Sequence, residues 1–122
     1  MNCEEAKKET SANSDLAGMH RSLIDLVATL EASIDTAPSA AAIAAISSNI
    51  VDVNARVTAA GRLLLVAQTD EVARLSKATV DIISDVERSI KDMEQIDMVV
   101  TSVAAVLKVA DGAIEAANMV RG

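Results

Sequence analysis

Apolar residues recur along this chain at alternating steps of three and four, the spacing that lines one face of an α-helix. The longest stripe runs through Val72, Leu75, Thr79, Ile82, Val86, Ser89, Met93, Ile96, Val100, Val103, Leu107, Ala110, Ile114 and Ala117. None of these fourteen positions is charged, although charged residues are common between them. The pattern predicts a helical face buried against other helices.

Upstream, Leu16, Met19, Leu23, Leu26 and Leu30 repeat in the same way, with Val27 and Ile34 widening the stripe. They predict a first helix that starts at Ser14, a good N-cap, and stops near Asp35. In Thr36-Ala37-Pro38-Ser39 the proline disfavours helix at Ala37, and Ser39 can cap the next helix. The second helix would run from Ser39 to Ala67 and bury Ile43, Ile46, Ile50, Val53, Val57, Ala60, Leu64 and Ala67. The rhythm slips by one residue between Ala67 and Val72. Thr69 can cap there, and Asp70 and Glu71 suit the positive first turn of a new helix, so a tight turn is expected rather than a continuous helix with a stutter.

The third boundary leaves two architectures open. A turn near Lys91 to Met98 gives four helices of matched length, Ser14 to Asp35, Ser39 to Ala67, Asp70 to Lys91 and Ile96 to Met119. These fit an all-α, antiparallel up-down-up-down four-helix bundle. Asp92 with Gln95 resembles a capping box, and Asp97 is a second possible cap. The heptad phase nevertheless passes through Asp92 to Asp97 without a slip. The alternative is a helical hairpin plus one long C-terminal helix over residues 70–119, about 75 Å at 1.5 Å per residue, which would need a coiled-coil dimer to cover it. In either case residues 1–13 read as a polar N-terminal tail and 14–122 as a single helical domain.

Composition sharpens the picture of the core. The chain has 122 residues, 51% of them hydrophobic, and no Phe, Tyr or Trp. Burial falls to Ala, Val, Ile, Leu and Met, which favour a thin bundle over a rounded fold with a walled pocket. The net charge of −7 argues against nucleic acid, whose binding needs a basic patch that releases counterions. The apolar runs Ala40 to Ile46 and Leu63 to Ala67 fall far short of the roughly 18 to 20 residues that span a bilayer. Met1 to Thr10 has no apolar central region of the kind a signal peptide carries. A soluble, cytoplasmic protein is the expectation.

Candidate chemistry is sparse. Cys3 and His20 are the strongest soft-metal or nucleophile candidates, and no third ligand of their type lies near. There is no Glu-x-x-His pair, which a carboxylate di-iron bundle needs. The glycines are isolated, so no phosphate-cradling loop is present. Gly61 costs its helix about 1 kcal/mol relative to alanine and is expected at a close approach between helices. Gly112 either kinks the last helix or is simply tolerated in it. The acid pairs Glu4-Glu5 and Asp111 with Glu115 look solvated. Asp52 with Arg56, Asp70 with Arg74, Glu87 with Lys91 and Arg88 with Asp92 are spaced for ion pairs on helix surfaces. No catalytic residue, cofactor or metal is predicted.

From Met98 to Ala110 the only charged residue is Lys108, and Val99 and Val106 flank the stripe at Val103. Such a helix either packs on two neighbours within its own bundle or presents Val99, Val103 and Val106 to another chain. The function expected is therefore that of a non-enzymatic interaction or scaffold protein working through helix packing or self-association. Its partner would be a second copy, as a homodimer, or another helical protein. The alternative turns on Cys3. A mature bacterial lipoprotein begins at a lipidated Cys followed by a polar tether, and Glu4 to Asp15 has that character. Lipid attachment at Cys3 would make this a periplasmic or envelope-tethered sensing or ligand-binding bundle.

Overall fold

The first three helices of this chain start where a polar side chain takes up a free backbone N–H group. The computed structural model describes residues 14–90 and 96–121. They form α1 (Ser14–Ser33), α2 (Ala40–Gly61), α3 (Asp70–Ile90) and α4 (Ile96–Arg121), with a 3₁₀ turn at Ile34–Thr36 after α1. The Ser39 hydroxyl accepts from Ala42 N–H at 3.1 Å and caps α2. Thr69 does the same for Val72 N–H of α3 at 3.2 Å. Ser14 is itself the first helical residue of α1 rather than its cap. In that first turn Asp15 N–H donates to the Gln68 amide oxygen at 3.3 Å, so the α2–α3 connection caps α1 from outside. The capping box expected at Asp92 and Gln95 lies outside the described residues.

α2 ends at Gly61, six residues before the expected Ala67. Tighter bonds then take over, from Leu63 N–H to Ala60 O and from Val66 N–H to Leu63 O, both at 3.0 Å. The reason lies in what packs on what. α1 packs on α2 and α3, and α4 packs on the same two, so α2 and α3 face each other across the core. The chain must cross between them, and residues 62–69 serve that crossing. Leu63 still reaches the core, whereas Leu65 is 90% exposed.

Side-chain contacts give the directions. α1 and α3 meet through Asp15 with Lys77 near their starts and Thr29 with Glu87 further along, so these neighbours run the same way. Against α2, α1 places His20 beside Gly61, an early residue against a late one. Leu75 of α3 sits 3.7 Å from where a Cβ on Gly112 would lie, an early residue against a late one again. α4 therefore packs back along α3.

The core lines are regular. α1 buries Leu16, Met19, Leu23, Leu26, Val27 and Leu30, the residues its stripe predicts. In α3 the buried positions are Val72, Ser76, Thr79, Ile83, Val86 and Ile90. In α4 they include Val99, Val103, Val106, Ala110, Ala113 and Ala117. Within the described part of each of these two helices, alternate members of the expected stripe are thus displaced by one residue. Leu75, Ile82, Leu107 and Ile114 are half-buried shoulders packed against the core. At Ser76 beside Leu75, Val106 beside Leu107 and Ala113 beside Ile114 the smaller neighbour takes the centre and the larger one fills a seam, whereas Ile90 takes the centre from the smaller Ser89. α2 follows suit, burying Ala42, Ile46, Asn49, Val53 and Ala60.

Candidate interaction surface

Among the described residues no group of three or more His, Cys, Asp or Glu could hold a metal ion. A shallow groove of about 240 Å³ between α1 and α3 is lined by Ser14, Asp15, Gly18, Lys77, Val80 and Asp81. A second, of about 220 Å³, lies among Ala59, Arg62, Leu63, Asn118 and Arg121, where α2 and α4 end. Both are open to solvent. Asp111 and Glu115 are exposed, as solvated acids. His20 is half-buried, with Nε2 3.2 Å from where a Gly61 Cβ would be, so the close approach expected at Gly61 is made by a histidine ring. Gly112 lies well inside α4, which continues to Arg121. Among the described residues no helix is long and apolar enough to cross a membrane.

Electrostatic contacts join helices more than they follow the expected i to i+4 spacing. Arg56 of α2 reaches across to α4 and donates from Nε and Nη2 to the two carboxylate oxygens of Asp111, at 2.9 and 3.0 Å. Its Nη1 donates to the backbone carbonyl of Asp52 at 3.2 Å rather than pairing with the Asp52 carboxylate. The Asp111 hydrogen bonds raise the Arg56 pKa, which keeps the guanidinium charged at any working pH. Glu87 accepts from the Thr29 hydroxyl of α1 at 3.1 Å, and Arg88 turns back to Asp85. Lys91 and Asp92 lie outside the described residues.

Val99, Val103 and Val106 are each 0% exposed. The chain's own helices cover them, so the strip expected as a possible docking face is core. The two apolar sides of α4 reflect its two neighbours, α2 and α3. Cys3, the lipid-attachment residue of the alternative reading, lies outside the described residues.

The surface that stands out is on α2, and of its residues only Ile43 belongs to the stripe predicted as core. Its exposed residues are Ala40, Ala41, Ile43, Ala44, Ser47, Ser48, Val51, Asn54, Ala55 and Thr58. None is charged, over about 27 Å of helix at 1.5 Å per residue. Every other described helix exposes charge: Arg21, Asp25 and Glu31 on α1, Glu71, Arg74, Lys77 and Asp81 on α3, Lys108, Asp111 and Glu115 on α4. The charged residues of α2, Asp52 and Arg56, lie together on the side turned to α4. Val51 is 68% exposed at the middle of the face and Ile43 is 40% exposed at its edge. Two signals in the sequence point here. No charge occurs from Thr36 to Val51, and the only two charges in α2 are four residues apart and so share one side.

No family model, curated protein or solved structure matches this chain. The functional reading therefore rests on the geometry and chemistry of the chain itself.

Proposed function

We propose that this chain is a non-enzymatic interaction protein: an up-down-up-down four-helix bundle, with the α2–α3 connection crossing the core, that acts by packing one outer helical face on another helix. The observation that carries the reading is the charge-free outer face of α2 on a chain of net charge −7. Solvated helices normally present charge on their outer side, and a long neutral face with an exposed Val and Ile is instead suited to close helix packing. Small side chains let two backbones approach closely, and the acidic surroundings orient the contact and discourage wrong ones.

The test is site-specific photo-crosslinking in cells of the protein's own source. A photoreactive residue replaces Val51, and separately Ile24, Leu65, Met98 or Met119, the other prominent exposed apolar positions. The reading expects a strong protein adduct at Val51. Absence of any adduct from all five positions would remove it.

A further inference from the structure

The occupant of the α2 face can be argued further, resting on the interaction reading above. We propose that α2 docks on α2 of a second copy of this chain, antiparallel, about a two-fold axis near Ser47 and Ser48.

Charge is the first argument. Each copy carries −7, so two copies repel wherever their charged faces meet, and like charges brought together at a contact oppose it. The α2 face is the long helical surface on which two copies meet without juxtaposing charge. The second argument is self-complementarity, which a two-fold contact demands because both copies use the same patch. The middle line of the face reads Ala40, Ala44, Ser47, Val51, Ala55, Thr58. Laid antiparallel about Ser47 and Ser48, it sets Val51 of each copy over Ala44 of the other and Ala40 opposite Ala55. Within the paired stretch from Ala40 to Ala55, Val51 of each copy thus meets a small alanine, and Thr58 lies beyond the start of the opposite α2. Ile43 closes each edge near Val51 of the opposite copy.

Size sets the strength. Two helical faces of this length bury on the order of 800 to 1,000 Å² in total, at the low end of specific interfaces. Most of that area is alanine and serine, so the dimer is weak and reversible, with a dissociation constant on the order of tens to hundreds of micromolar, weaker than that of interfaces of standard size.

Sedimentation equilibrium of the full chain under reducing conditions, from about 1 µM to about 1 mM, reads the outcome directly. The mass should rise from that of one 12.7 kDa chain toward twice that value. Association should tighten as salt is raised from roughly 20 to 200 mM, because screening weakens the repulsion between acidic copies. Val51→Lys should weaken it at least ten-fold on the order-of-magnitude scale of a lost interface centre, with an unchanged circular dichroism melt because Val51 is exposed. Ser47→Lys should do the same, and Leu65→Lys, on the α2–α3 connection, should change nothing. Oxidation should link Ser47→Cys copies readily and Thr58→Cys copies poorly, in a Cys3→Ser background. A monomer throughout, or a dimer indifferent to Val51→Lys and Ser47→Lys, would overturn the proposal. If the Val51 crosslinker then captures a different protein, the second copy is wrong as occupant while the interaction reading stands.

Discussion

Replacing Ser76 with alanine should make this protein more stable, and the size of the gain follows from where the hydroxyl sits. Ser76 occupies the central line of α3, is 0% exposed, and its Oγ has no hydrogen-bond partner in the protein. A buried, unpaired hydroxyl costs about 1–3 kcal/mol. Alanine removes that penalty and adds roughly 0.5 kcal/mol of helix propensity. The void left by one oxygen is smaller than a methyl group and takes back less than about 1 kcal/mol. The net expectation is a gain of about 1–2 kcal/mol, or roughly 4–8 °C in Tm for a domain of this size. Thr79 is the internal control. It is equally buried, but its hydroxyl donates to the Leu75 carbonyl at 2.8 Å. Thr79→Val loses a satisfied bond worth about 1 kcal/mol and gains a methyl worth about 0.8 kcal/mol, so it should be close to neutral. Urea titration followed by circular dichroism, at a protein concentration low enough to exclude association, separates the two. A Ser76→Ala protein that is less stable than wild type by more than about 0.5 kcal/mol would show that the hydroxyl is satisfied and that the reasoning is wrong.

Other expectations rest on single positions. Gly18→Ala should stabilise by about 0.5–1 kcal/mol in thermal melts, since nothing lies within 4 Å of the new Cβ, whereas Gly61→Ala should gain less or lose, because it meets His20 at 3.2 Å, and His20→Ala should restore the gain. A double-mutant cycle on Arg56→Ala and Asp111→Ala should give a coupling of about 1 kcal/mol or less that shrinks with salt, as both groups are partly solvated. The raised Arg56 pKa adds stability that is fully present below the unfolded value and is lost only as pH rises through the still higher folded value, so stability between about pH 5 and 9 should not vary through this group. Leu26→Ala should cost about 2–5 kcal/mol in urea titration, and Ile24→Ala, two residues away and 44% exposed, less than about 0.5 kcal/mol.

The sequence was most legible where side-chain size was unambiguous. In α1 the leucines recur at positions where no other phase fits, and all of them are buried. In α3 and α4 the apolar stripe is two residues wide, so its period showed but its centre did not. Counting favoured Leu75 over Ser76 and Ile114 over Ala113, because hydrophobicity alone prefers the larger residue. At these two sites the core takes the smaller residue, but it takes Ile90 over Ser89, so neither size nor hydrophobicity alone sets the centre of a stripe two residues wide. α2 was the hardest. Alanine fits a core or a surface equally well, so Ala40 to Ala45 left the phase of this helix undetermined, and Ile43 and Ala42 exchanged expected places. The same ambiguity hid the candidate surface. A stripe of apolar residues reads as core, when the more informative property is the missing charge on the opposite side. The valines of α4 err in the reverse sense: a helix with two apolar faces has two neighbours, and both are in its own chain.

Small-angle X-ray scattering joined to light scattering, across a concentration series of the full chain, tests the four-helix packing and the self-association together. At low concentration the mass should be that of one chain, with the scattering of a packed domain whose longest helix, 26 residues, spans about 39 Å. The mass should then double reversibly as concentration rises. A particle with a rod near 75 Å at every concentration would contradict the folding of α4 along α3. A mass fixed at one chain up to millimolar concentration would contradict association through α2.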